Sequence, residues 1–234
     1  MDCQFKSLQS CPRSEDHLNR LLSSLPQSLD ETYERMLCNI NDNLIEDARR
    51  ILTLLCFAFR PLTVQELIDG VATEIKISPG LNRQRRLQDA NDFYEICPGF
   101  IEISLSADNT TETNDDRVLT STVRIAHFSV QEYLESKRIR DSRAVNFALT
   151  RVIAHAEIAQ ICLVYLLEPG ISRTILDRNV LEAYPLAHFA SMYWYHHYKG
   201  TAHHVSNIDI LLSRLFQKEK SFVAWVKLHD VDNS

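Results

Sequence analysis

Apolar residues recur at three- and four-residue spacing along most of the chain, and one pair of short alternating runs interrupts them. Leu18, Leu21, Leu22 and Leu25 share a face of a helix that Ser14 caps and Pro26 stops. Ser28 and Glu31 have capping-box spacing, and the helix they open carries Leu29, Tyr33, Met36, Leu37 and Ile40 on one stripe. Asn41-Asp42-Asn43 breaks the pattern. Residues 44–59 predict a deeply buried helix, and Arg60-Pro61-Leu62 turns the chain. Thr63 and Glu66 repeat the capping-box spacing ahead of a short helix with Val64, Leu67, Ile68 and Val71 inward. A loop over 76–88 leads to a third short helix, starting at Asp89 or Asn91 and ending near Cys97-Pro98-Gly99. Residues 100–105 alternate as a strand, 106–117 read as a polar hairpin tip, and 118–126 return as a second strand. Three helices followed by a hairpin and a helix is the order of a winged helix. From Ala144 to Leu167 the period is helical again, Pro169-Gly170 ends that run, and further helices are predicted near 173–183, 185–198, 207–217 and 219–228. The fold class is therefore mainly α with a small β-hairpin. A helical segment covers 1–42, a winged-helix domain 43–140, and a helical extension 141–234.

Composition narrows the chemistry. The chain has 234 residues, 45% of them hydrophobic, enough for a substantial core. Lys and Arg number 25 against 31 Asp and Glu, and a formal charge of −6 is poorly matched to nucleic-acid phosphates. No apolar run is long enough for a membrane span, and the N-terminal residues lack the apolar core of a signal peptide. The six cysteines are far apart, with no Cys-x-x-Cys pair, which suits buried thiols in the reducing cytoplasm. Only five glycines occur, and none belongs to a P-loop, a dinucleotide fingerprint or a nucleophile elbow.

Residues 122–135 carry the most specific signal. A short apolar strand runs into His127, and Ser129 and Glu132 have capping-box spacing for the helix that follows. His127 thus stands where a strand ends and a helix N-terminus begins, a place whose free amides and dipole suit a phosphate. The alternative is a histidine that packs and bonds a neighbouring carbonyl.

Four segments resemble, in order, a known family. Leu25-Pro26-Gln27-Ser28-Leu29-Asp30-Glu31-Thr32-Tyr33-Glu34-Arg35-Met36-Leu37 is similar to the segment closing the NACHT module of fungal NLR-like proteins. Phe59 to Leu67 resembles the linker between the first two helices of the domain that follows it, and Ile96 to Ile101 its third helix running into the wing. Val123 to Leu134 resembles its strand–helix junction, and this domain is known as the GPI inositol-deacylase winged helix domain. The resemblance spans about residues 3–195. It implies a signal-transduction NTPase of the STAND class, in which a nucleotide switch is coupled to a sensor, often ankyrin repeats. The P-loop domain would lie upstream of residue 1 or have been lost, so the chain itself needs no cofactor; ADP or ATP enters only with an upstream P-loop domain. In such proteins a winged-helix histidine touches the β-phosphate of ADP. His127, followed by Gln131, Glu132 and Tyr133, matches that motif with Tyr in place of Phe, and is the nucleotide-contact candidate. The expected partner is the intramolecular NACHT nucleotide-binding domain or another protein, with no nucleic acid and no membrane. The expected role is non-catalytic and regulatory; the alternative is a free-standing protein-binding adaptor.

Three other readings have less support. A DNA-reading third helix would carry Asp89, Asp92 and Glu95 towards phosphates, with a small basic patch at Arg83, Arg85 and Arg86 before it. Deacylase chemistry would need Ser129 as nucleophile, but that serine is better used as a cap. His196, His197, His203 and His204 could converge on a metal, yet a surface loop is the simpler reading. Trp194 and the tyrosines at 193, 195 and 198 read as packing between helices.

Overall fold

The computed structural model describes residues 28–76, 78–104, 121–173, 178–201 and 206–230. The predicted helix over 14–25, the hairpin tip and His203 and His204 lie outside the described residues. The described elements are α1 (Leu29–Cys38), α2 (Ile45–Phe57), β1 (Leu62–Thr63), α3 (Val64–Ala72), β2 (Thr73–Glu74), β3 (Gly80–Leu81), α4 (Asp92–Ile96), β4 (Ile101–Ser104) and β5 (Thr122–Ile125). They continue with α5 (Phe128–Glu135), α6 (Lys137–Arg140), α7 (Arg151–Leu166), α8 (Pro169–Arg173), α9 (Arg178–Ala183), α10 (Leu186–Lys199), α11 (Ser206–Gln217) and α12 (Glu219–Asp230). The fold is mainly α, a winged helix flanked by helices.

Local chemistry explains the boundaries. Ser28 caps α1 by accepting from the Glu31 amide at 3.2 Å. Thr63 and Glu66 form a full capping box, with the Thr63 amide donating to Glu66 at 2.8 Å and the Glu66 amide to Thr63 Oγ1 at 3.2 Å. Gly99 has φ 77°, a left-handed conformation that glycine adopts without a Cβ clash, and it feeds Phe100 into the sheet. The sheet order is β1-β5-β4, antiparallel, pairing Leu62 and Ile103 with Val123 and Ile101 with Ile125. Alternation puts Ile101 and Val123 in the core and leaves Glu102 opposite Arg124 outside, an exposed pair at 3.1 Å.

Four expectations need correction. The predicted loop over 76–88 contains β3, paired with β2, and a 3-10 turn at Arg83–Arg85; strands of two residues carry no readable period. The predicted continuous helix from Ala144 is broken: a 3-10 turn at Val145–Phe147 precedes α7, which starts only at Arg151. Pro169 does not merely end a helix but opens α8, where its missing N–H costs nothing. Leu29, placed on the inner stripe, is 63% exposed, because the helix buries Tyr33 and Leu37 one turn later.

One hydrophobic core runs through the winged helix and the extension, joining Ile51, Leu67 and Phe93 to Ile158, Leu163, Phe189 and Leu215. Charged groups bridge the same seam. Asp69 on α3 is 1% exposed; it accepts from Arg86 Nε and Nη2 at 2.6 and 2.7 Å, and from the hydroxyl of Tyr165 on α7. Glu66 holds Arg60 through two oxygens, and that guanidinium lies 5.1 Å from the ring centre of Phe189 on α10. Arg50, 3% exposed, donates to the Val71 and Thr73 carbonyls at 3.1 and 2.8 Å and lies 3.5 Å from Glu157 on α7. Glu168 accepts from the Leu81 amide at 2.6 Å. Removing one member of a buried pair strands the other, so Asp69→Ala is expected to cost about 3 kcal/mol in urea unfolding. A loss below about 0.5 kcal/mol, the usual range for surface substitutions, would contradict this account of the seam.

Candidate functional site

His127 ends β5 in extended conformation, φ −153° and ψ 140°, and is solvent-exposed. Behind it the Ala126 amide donates to the Phe100 carbonyl at 2.9 Å, and ahead of it the Val130 amide donates to the His127 carbonyl at 3.0 Å. The ring itself caps α5: the Ser129 amide donates to His127 Nδ1 at 3.2 Å. This corrects the expected capping box, because His127 stands at the cap position and Ser129 is the second residue of the helix. The Ser129 hydroxyl lies 2.7 Å from His127 Nδ1 and 2.7 Å from the Tyr33 hydroxyl of α1. The Tyr33 ring is fixed by Phe100 and Tyr133, with centroids 6.2 and 5.8 Å away.

A backbone N–H can only donate, so Nδ1 offers a lone pair and the proton of the neutral ring sits on Nε2. Nε2–H is therefore the nitrogen left to meet a ligand. Beside it stands Phe128, 67% exposed, its ring centre 4.7 Å from that of His127.

The other sequence candidates are arranged differently. Arg85 is bound by Asp47 and Glu74, Arg86 by Asp69, and Arg83 lies 4.9 Å from the ring centre of Tyr184. The small basic patch these arginines could have offered before α4 is therefore engaged by carboxylates and an aromatic face. His196 and His197 are in α10, not in a loop, and His197 is fully buried. Its Nδ1 lies 2.9 Å from His155 Nδ1 on α7, and Phe59 stacks on the His155 ring at 5.9 Å and meets the His197 ring edge-on at 4.7 Å. Gly200 permits this approach, since an added Cβ would come 2.8 Å from the His155 ring. Trp194 is buried against Trp225 at 5.6 Å, as packing between helices predicts. A groove of about 1000 Å³ between α2 and α7 carries two ion pairs on its rim, Glu46 with Lys76 and Arg49 with Glu157. Among the described residues no group of three or more His, Cys, Asp or Glu is placed to hold a metal, and no helix is long and apolar enough to cross a membrane.

Sequence reasoning missed Tyr33 as a functional neighbour of His127, and missed the pairing of His155 with His197. Each pair is far apart in the chain, so no spacing rule reaches it.

Residues 33–150 match the family model of the GPI inositol-deacylase winged helix domain. The chain belongs to that family. The match covers the winged helix and the second half of α1, and runs on to the start of α7. A similar relative is the "Azaphilone pigments biosynthesis cluster protein L" of Monascus ruber, 47% identical over 228 residues. The alignment takes in 97% of this chain and 47% of the relative, so the chain spans about half the relative's length. No solved structure matches. Within this winged helix domain His127 is the exposed strand–helix histidine, while His197 belongs to the helices beyond the matched residues.

Burial holds His197 neutral, lowering its pKa to about 3, with His155 and His196 adding repulsion. His155 is lowered by the same burial and by Arg151. The unfolded chain takes up a proton at His197 near pH 6.5 and the folded chain only at about pH 3, so this contribution to stability is full above about pH 6.5 and is lost as the pH falls towards about 3, with the lowered His155 acting in the same direction. Urea midpoints measured between about pH 7.5 and about pH 5 are expected to fall with pH, and His197→Gln to flatten that slope. An unchanged slope in the variant would show that the buried pair is not its source.

Proposed function

We propose that this winged helix domain is the regulatory, non-catalytic module of a NACHT-type signalling NTPase in the cytoplasm. It presses on the nucleotide-binding domain while ADP is bound and leaves when the switch fires. The supporting observation is His127, exposed at the strand–helix corner, with Nδ1 occupied by its own helix and Nε2–H turned outward. A phosphate oxygen accepts only, so an outward donor at a helix N-terminus is complementary to it. The contact exists in one state and not the other, which gives it leverage over the equilibrium between them. Ser129 and His127 have the separation of a nucleophile and base, but both faces of the serine oxygen are engaged, by Tyr33 and by His127. Among the described residues no carboxylate orients the far nitrogen of the ring, so hydrolysis is not the reading we adopt.

A protein-binding adaptor is the second reading. It is favoured by Phe216, Phe222, Val223 and Val226, which leave a substantially exposed apolar face on α11 and α12. The two separate experimentally. Where an upstream nucleotide-binding domain is present, His127→Ala is expected to speed release of fluorescent ADP about tenfold, from the loss of a hydrogen bond to a charged group. Unchanged release would favour the adaptor. The isolated chain is expected to show no ATP turnover above buffer; turnover abolished by Ser129→Ala would replace both readings with an enzyme.

A further inference from the structure

We propose that Tyr33 and Ser129 are the positioning residues of His127, and that α1 thereby controls whether the outward nitrogen is a hydrogen-bond donor. This rests on the reading of His127 as a phosphate contact and adds the element that governs it.

The direction of the hydrogen-bond chain follows from what each group can give. The Ser129 amide points its proton at His127 Nδ1, so Nδ1 has none to offer. The Ser129 hydroxyl, 2.7 Å from that nitrogen, is then a second donor, sharing the single Nδ1 lone pair with the longer amide contact at 3.2 Å. Its oxygen is left to accept, and the Tyr33 hydroxyl at 2.7 Å supplies the proton. The order is Tyr33 to Ser129 to His127, and it leaves Nε2 protonated. The opposite tautomer would turn a lone pair towards a phosphate oxygen, which repels it.

Tyr33 brings a second segment into the site. It is nearly buried, wedged between Phe100 and Tyr133, whereas the ion pairs tying α1 to the chain after α5 are exposed. Asp30 meets Arg138 at 2.7 Å and Glu34 meets Arg143 at 3.1 Å, with the arginines 62% and 79% exposed. Exposed pairs of this kind contribute little, so α1 is held chiefly by its buried face. A pull on α1 that draws Tyr33 away removes the donor to Ser129 and frees its hydroxyl to turn. The outward donor is then no longer enforced. Motion of α1 is thereby converted into a changed proton position on the adjacent His127 ring.

The test is ring-nitrogen NMR of the ¹⁵N-labelled chain at about pH 8, where imidazole is neutral. Wild type is expected to show His127 protonated on Nε2. Tyr33→Phe keeps the ring packing and deletes only the hydroxyl; Ser129→Ala deletes the next link. Each is expected to raise the Nδ1–H population of His127 about fivefold, the worth of one net hydrogen bond, with little change in thermal midpoint. Ser129→Thr is expected to restore the wild-type ratio. Wild-type protein protonated on Nδ1, or an unchanged ratio in both deletion variants, would overturn the proposal. ADP release unaffected by His127→Ala would instead sink the phosphate reading and leave the tautomer result standing.

Discussion

Asp69 places a carboxyl group at a site almost without solvent, and partners from elsewhere in the chain are arranged to make that tolerable. Arg86 reaches it from the segment before α4 with two parallel hydrogen bonds, and Tyr165 reaches it from α7. Arg86 also donates to the Ala183 carbonyl at 3.2 Å, so the same guanidinium touches the end of α9. A buried carboxylate of this kind adds little to stability when intact and costs a great deal when broken. Its consequence is registry: α3, the turn before α4 and α7 have one mutual arrangement that pairs Asp69 with Arg86 and Tyr165. Arg60, held by Glu66 and lying over the Phe189 ring, imposes the same condition at a second point. The extension behaves as part of the winged helix's own core because these contacts cross the seam along with the apolar ones.

With that frame set, the strand–helix corner can be built from few atoms. Pairing with β4 holds β5, and the Ala126–Phe100 bond carries the pairing to the last residue before His127. The histidine then does the work usually given to serine or aspartate at a helix start. That choice has a chemical consequence the usual caps lack: satisfying the helix fixes the tautomer of a ring whose other nitrogen faces solvent. Structure and ligand chemistry are thereby joined in one side chain.

His197, buried beside the half-buried His155, shows the opposite use of the same residue type. There burial keeps the His197 imidazole neutral, and the two rings fill the α7–α10 interface. One chain thus holds an exposed histidine whose polarity is aimed and a buried one whose polarity is suppressed. Residue type alone does not distinguish them.

What was legible from residue order follows from short-range physics. The Thr63–Glu66 capping box, the buried face of α3, the alternation of β4 and β5 and the place of His127 at a strand–helix corner depend on groups within a few residues of one another. The two-residue strands and the break before α7 were not legible, because tertiary contacts outweigh weak local preference there. The cap at α5 was misassigned by two positions, since Ser129 and Glu132 satisfy the spacing rule while the tertiary partner Tyr33 claims the serine hydroxyl. Local order determined the elements and the candidate residue. Only the folded chain decided which nitrogen faces out, where the arginines of 83–86 spend their charge and which histidine is buried, because each depends on partners dozens of residues away that sequence spacing cannot bring together.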